Sequence, residues 1–209
     1  MKTILAFGDS LTWGANPVTG LRHPPQYRWP DVLEAELGGE AKVIAEGLGG
    51  RTTCYDDHTG PSCRNGAKAL EVALASHMPL DLVIIMLGTN DLKPVHGGQA
   101  ETAVSGMRRL AQIVEMFPYK PRIAQPRLLI VAPPPCVEGL SGKPAAGRRI
   151  AESERLAPLY ETLAQDADCA FFDAGTVSKA SHVDGVHLDA EETAKIGRAL
   201  VSPVRAILC

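Results

Sequence analysis

Ser10 stands in the run Gly8-Asp9-Ser10-Leu11, at the end of the chain's first apolar stretch. A serine hydroxyl is a poor nucleophile near neutral pH. It needs a base to take its proton, a group to orient that base, and donors for the oxygen on which charge develops. Three later segments carry such groups: Gly47-Leu48-Gly49-Gly50, Gly88-Thr89-Asn90-Asp91 and Asp184-Gly185-Val186-His187. Serine and glycine can present backbone N–H groups, Asn90 a side-chain amide, and Asp184 with His187 a base and its orienter. Together these residue types make up an acyl-transfer site.

The three-residue spacing of Asp184 and His187 can bring both side chains to one side of a turn, where the carboxylate fixes the imidazole tautomer and stabilises the imidazolium. The other five histidines, His23, His58, His77, His96 and His182, lack a comparable partner motif. His77 is expected on the apolar face of its helix and His182 in solvent or at the rim of the site. Each assignment has a plainer rival. Ser10 could cap the next helix, Asp184 could cap the last one, Gly50 could be a bare turn and Asn90 an Asx turn. Asp91 reads as a loop brace and Asp9 as a local hydrogen-bond partner.

The four segments, in this order and at about these spacings, resemble the SGNH (GDSL) hydrolase family nearly end to end. The longer runs Gly8 to Gly14, Glu46-Gly47-Leu48 with Arg51-Thr52-Thr53, and Leu80 to Asp91 look like its arylesterase and acyltransferase branch. Position 15 departs from that branch, with Ala where some relatives carry a second Trp beside the nucleophile. Position 50 is Gly, as in the wider family. The resemblance implies a serine esterase acting on short-chain acyl esters of aryl or simple alkyl alcohols through an acyl-enzyme on Ser10. Its catalytic residues would be Ser10, Asp184 and His187, and its oxyanion hole the N–H groups of Ser10 and Gly50 with the amide of Asn90. Water would be the acyl acceptor, with transfer to an alcohol as a further capacity, and neither cofactor nor metal is implied. Alternatives are a carbohydrate O-acetyl esterase, a thioesterase or lysophospholipase of the same family and, outside enzymes, a binding module that kept the fold.

At 209 residues, 45% of them hydrophobic, the chain suits one domain over 1–209 with a substantial core. Its 21 basic and 24 acidic residues give a net charge of −3 with no basic stripe, which argues against a nucleic-acid partner. Met1 to Phe7 lacks the length and cleavage site of a signal peptide, and no apolar run reaches the roughly 20 residues of a membrane helix. The expectation is a soluble, cytoplasmic protein without a membrane partner, its association into a homo-oligomer left open. Five cysteines, an odd number, favour free thiols, although Cys54 and Cys63 could close a short loop. Two metal readings fail on spacing: a phosphoesterase-like set from Asp9, Asn90, Asp91, His182 and His187, and a zinc site from Cys54, Asp56, Asp57, His58 and Cys63.

These groups need a scaffold that gathers them. Short apolar runs at Thr3 to Phe7, Lys42 to Ala45, Leu82 to Leu87, Leu128 to Ala132 and Ala170 to Phe172 alternate with helical patterns. That alternation predicts a three-layer, flavodoxin-like α/β fold, a parallel five-stranded sheet with helices on both faces. The helical stripes are Trp29, Leu33 and Leu37; Leu70, Ala73, Leu74 and His77; Ala103, Met107, Leu110, Ala111 and Val114; Leu156, Leu159, Tyr160 and Leu163; and Ile196, Leu200 and Val204, the last kinked or divided by Pro203. Long loops at Ala15 to Arg28, Thr52 to Arg64 and Pro133 to Gly147 leave the strand ends where an open sheet places its ligand crevice. Trp13, Tyr27, Trp29 and Tyr55 are candidates for either the pocket wall or the core.

Overall fold

The computed structural model describes residues 1–209. Five strands, β1 (Lys2–Gly8), β2 (Ala41–Gly47), β3 (Leu82–Met86), β4 (Arg127–Ala132) and β5 (Ala170–Asp173), form one parallel sheet in the order β2-β1-β3-β4-β5. This is the expected flavodoxin-like architecture. The chain leaves β1 in one direction to make β2 and then crosses to the other side for β3, so the order reverses beside β1.

Alternation along each strand sends side chains to opposite faces. Leu5 and Phe7 of β1, with Val83 and Ile85 of β3, enter a core of 22 buried residues. Its other wall is built by α3 (Gly66–His77), α4 (Ala100–Met116) and α6 (Leu156–Asp166), through Leu70, Met107, Leu110 and Tyr160. Ile4, Ala6, Ile84 and Met86 enter a second core of 17 residues on the opposite face. There α2 (Trp29–Glu36), α7 (Ala190–Ala199) and α8 (Val201–Leu208) contribute Trp29, Leu33, Ile196 and Val204. Trp29 is thus a core residue, not a pocket wall.

Pro30 lies in the first turn of α2, where its missing N–H costs nothing. Pro203 divides the last helical stretch as expected: it cannot donate to the carbonyl four residues back, and the chain breaks into α7 and α8 at Leu200. A short helix, α5 (Ile150–Glu154), precedes α6 and has no counterpart in the sequence reading. His77, the last residue of α3, is half-buried, and its Nε2 lies 3.0 Å from Glu46 Oε1 on β2. His182 is exposed, and all five cysteines are unbridged. No helix is long and apolar enough to cross a membrane.

Candidate active site

The carboxyl ends of β1 and β3, beside the reversal in strand order, deliver the first two groups. β1 ends at Gly8, and the chain enters α1 (Ser10–Trp13) at once. The cap of this helix is Asp9, whose Oδ1 accepts from the Leu11 N–H at 2.9 Å. Ser10 therefore does not serve as the cap, and its hydroxyl is free for another partner. That partner is His187, with Nε2 3.0 Å from Ser10 Oγ. On the other side of the ring, Nδ1 lies 2.6 Å from Asp184 Oδ2. Asp184 Oδ1 accepts from the backbone N–H groups of Val186 and His187, both at 2.9 Å. Nor does Asp184 cap the last helix, because α7 begins at Ala190 behind Asp189.

Burial alone would raise the Asp184 carboxyl, but the His187 ring and the two N–H groups outweigh it and hold it below the usual carboxylate range. The carboxylate stays charged and keeps Nδ1–H pointed at itself, which leaves Nε2 as the acceptor facing the serine hydroxyl. Such a line of contacts can carry the Ser10 proton to the imidazole.

On the opposite side of Ser10 lie possible donors to a developing oxyanion. The Ser10 and Gly50 N–H groups make no hydrogen bond within the protein. Gly50 adopts φ +80°, a conformation side chains rarely tolerate, and a Cβ there would lie 2.7 Å from the Arg64 guanidinium. Asn90 is buried. Its Nδ2 donates to Asp9 Oδ2 and to the Arg51 carbonyl, both at 3.0 Å, while its Oδ1 accepts from Arg148 Nη2 at 2.9 Å. A substrate oxygen reaching Nδ2 would share a hydrogen already engaged. Asp9 is thus more than a local cap, and burial raises its carboxyl above the usual range.

Asp91 braces the loop after β2. It accepts from the Thr53 N–H at 3.1 Å and from the Thr53 hydroxyl. Burial pushes its carboxyl up to about 7 against these hydrogen bonds. Arg51 lies over the Phe7 ring at 4.1 Å and donates to the carbonyls of Gly8 and Glu46, fastening β1 to β2 at the site. Burial lowers its guanidinium to about 10. The sequence reading missed both Arg148 and this use of Arg51. Arg148 stands beside Arg149 in a Gly- and Pro-rich loop, and no local pattern separates the buried arginine from its exposed neighbour.

A cleft of about 530 Å³ opens beside Ser10 and His187, bordered by Trp13, Ala15, Asn16 and Leu48. Arg22 covers Trp13, with its guanidinium 5.6 Å from the ring centre and Nε donating to the Trp13 carbonyl at 2.7 Å. Tyr55 lies elsewhere, donating to the Thr102 carbonyl at 3.0 Å. A slightly larger recess, about 570 Å³, lies at the amino ends of β4 and β5 among Arg108, Arg127 and Asp166, away from this chemistry. The residues considered for metal binding do not come together as a ligand cluster.

The GDSL-like lipase/acylhydrolase family model matches residues 6–193. A provisionally named arylesterase from Agrobacterium tumefaciens str. C58 is 76% identical over the whole of both chains, with a TM-score of 0.98. A carbohydrate acetylesterase family member from Sinorhizobium meliloti is 47% identical over all of this chain and 99% of its own, with a TM-score of 0.95. The native M. smegmatis aryl esterase is 39% identical over the whole of both chains, with a TM-score of 0.92. A comparison with functionally curated protein sequences finds no match. Motif order, sheet topology and these likenesses agree, and the chain belongs to the GDSL-like lipase/acylhydrolase family of carboxylic ester hydrolases.

Proposed function

We propose that Ser10, His187 and Asp184 form the catalytic triad of a serine esterase for short-chain acyl esters of aryl or simple alkyl alcohols. One observation carries this reading: the Ser10–His187–Asp184 contacts of 3.0 and 2.6 Å run in line at the cleft. As Ser10 Oγ attacks the ester carbonyl, its proton passes to His187 Nε2. The carbonyl oxygen takes the negative charge and is held by the N–H groups of Ser10 and Gly50 and by the Asn90 amide. When the intermediate collapses, the C–O bond to the alcohol breaks and the alcohol takes the proton from His187, leaving the acyl group on Ser10. Water, deprotonated by the same imidazole, then attacks the acyl carbonyl; the bond to Ser10 Oγ breaks, the serine oxygen takes the proton back from His187, and the acid is freed. Asp184 remains ionised throughout.

Ala15 leaves the cleft open beside the nucleophile, and Arg22 covers Trp13, the aromatic ring bordering it. The covered ring favours a simple alcohol over a sugar stacked on an aromatic platform. Deacetylation of a carbohydrate is the second reading, favoured by the Sinorhizobium meliloti likeness. The open cleft also leads us to expect hydrolysis as the main reaction in water, with transfer when a primary alcohol is supplied. The five unbridged thiols fit a reducing, cytoplasmic setting.

A serine-reactive phosphonate followed by peptide mapping should label Ser10, and label on any other residue would sink the nucleophile assignment. A p-nitrophenyl ester series of increasing acyl length should favour the shortest chains. Faster release of acetate from an acetylated sugar than from p-nitrophenyl acetate would favour the second reading. With benzyl alcohol in the buffer, the ratio of free acid to benzyl ester measures transfer. Ester as the main product would show that the open cleft does not admit water as expected.

A further inference from the structure

We propose that Arg148 is a positioning residue for catalysis, setting which end of the Asn90 amide faces the attacked carbonyl and strengthening the donor presented there. The proposal rests on the reading of Asn90 as an oxyanion donor. An asparagine amide carries an acceptor and a two-proton donor of nearly equal size, and half a turn about its last torsion exchanges them. The neighbours decide between the two. A guanidinium has donors only, so Arg148 Nη2, 2.9 Å from Asn90 Oδ1, is compatible with one orientation of the amide. On the other edge stand two acceptors, Asp9 Oδ2 and the Arg51 carbonyl, each 3.0 Å from Nδ2. Turning the amide over would set donor against donor and acceptor against acceptor in a buried site, where a hydrogen bond left unmade is costly.

Arg148 is itself fixed. Its Nε donates to the Thr89 carbonyl at 2.7 Å and its Nη1 to the Ala145 carbonyl at 2.8 Å. It is therefore anchored both to the residue before Asn90 and to the loop that follows β4. A cation at Oδ1 draws electron density from the amide nitrogen, which makes each Nδ2–H a stronger donor. This matters because both Nδ2 hydrogens are engaged in the resting site, so an oxyanion must be bound by a shared hydrogen. The advantage grows as charge develops on the carbonyl oxygen, and it should appear in kcat more than in KM.

The experiment compares wild type, Arg148→Met, Asn90→Ala and the double variant on p-nitrophenyl acetate. Arg148→Met should lower kcat about tenfold or more with KM changed less than about threefold, and should cost less than about twofold once Asn90 is Ala. Arg148→Lys, which keeps the charge and can donate to Oδ1, should recover part of kcat. Equal fractional losses in the two backgrounds, a loss confined to KM, or no loss would overturn the proposal. If Arg148→Met does not fold, Arg148→Lys in both backgrounds makes the same comparison. Failure of both to fold would assign Arg148 to the scaffold and overturn the proposal as well. An Asn90→Ala enzyme with unchanged kcat would instead overturn the oxyanion reading of Asn90 itself, whatever the Arg148 variants do.

Discussion

On one side of Ser10, the side chains of His187 and Asp184 keep 28% and 22% of their surface exposed, on a turn closed by the Ser181 N–H to His187 carbonyl bond. On the other side, Asn90 and Asp91 are 3% and 0% exposed and are tied to Asp9, Arg51, Thr53 and Arg148, residues from three separate loops. The difference follows from what each half must do. In the proposed mechanism the imidazole would take a proton from Ser10, give it to a leaving alcohol and then take one from water, which calls for access to solvent and freedom to tilt. Donors to an oxyanion work best when they need no rearrangement as charge appears, and the cross-braced, buried placement of Asn90 suits the role proposed for it. The two aspartates show the same contrast: hydrogen bonds pull the Asp184 carboxyl below its usual range, whereas burial pushes Asp91 up to about 7.

The largest effect should come from the point where the halves meet. Ser10→Ala removes the attacking oxygen and should lower kcat/KM about ten-thousandfold or more, with the melting temperature of the purified variant nearly unchanged. Retention of most of the rate would break the comparison at its centre. Next, Asn90→Ala should lower kcat about a hundredfold to a thousandfold with a smaller change in KM. A change in KM alone would mean that the buried half holds only the ground state.

The exposed half should be recognisable by its base. His187→Ala removes the group that takes the proton of Ser10 Oγ and should abolish most of the rate. Retention of most of the rate would point to another base. A chelator should leave the rate unchanged. Activity lost in EDTA and restored by a divalent metal would put metal chemistry in place of the triad.

The smallest effect concerns the stability of the buried half. The Asp91 carboxyl sits at about 7 in the folded protein, against about 3.9 in an unfolded chain. Between those values the folded state holds the extra proton, so this group's contribution to stability is present at low pH and is lost as pH rises towards 7. The loss is at most roughly 4 kcal/mol, from about 1.4 kcal/mol per pH unit. Measured against Asp91→Asn, wild type should therefore lose melting temperature from pH 5 to 7 and stay level above. A difference that is flat across that range would mean that Asp91 is ionised in the fold throughout.

How much of this was visible in the sequence divides along the same line. Ser10, Asn90 and His187 stand out because each follows a strand or turn within a short, chemically distinctive segment. The strands could be read from apolar runs, and the break at Pro203 from the chemistry of one residue. Arg148 could not be found this way. Its burial comes from the path of the loop after β4, and Arg149 beside it is identical in type yet exposed. The multiple attachments of Asn90 were hidden for the same reason, since they join residues 39 to 81 positions apart. For His77, helical spacing predicts a face but not the polar partner on it, Glu46 of β2, which lies 31 positions away in the chain.

Ser10 and His187 touch across 177 positions of chain, a separation that gives the site an order of manufacture. At roughly 5–20 residues per second, about 10–35 s pass between synthesis of the serine and synthesis of the histidine. On the proposed mechanism the nascent chain would carry, throughout that time, an unactivated hydroxyl that passing esters do not acylate. Nucleophilicity would arrive with the final turn before α7, so esterase activity in a translation reaction would time the closure of the fold rather than the appearance of its first strand.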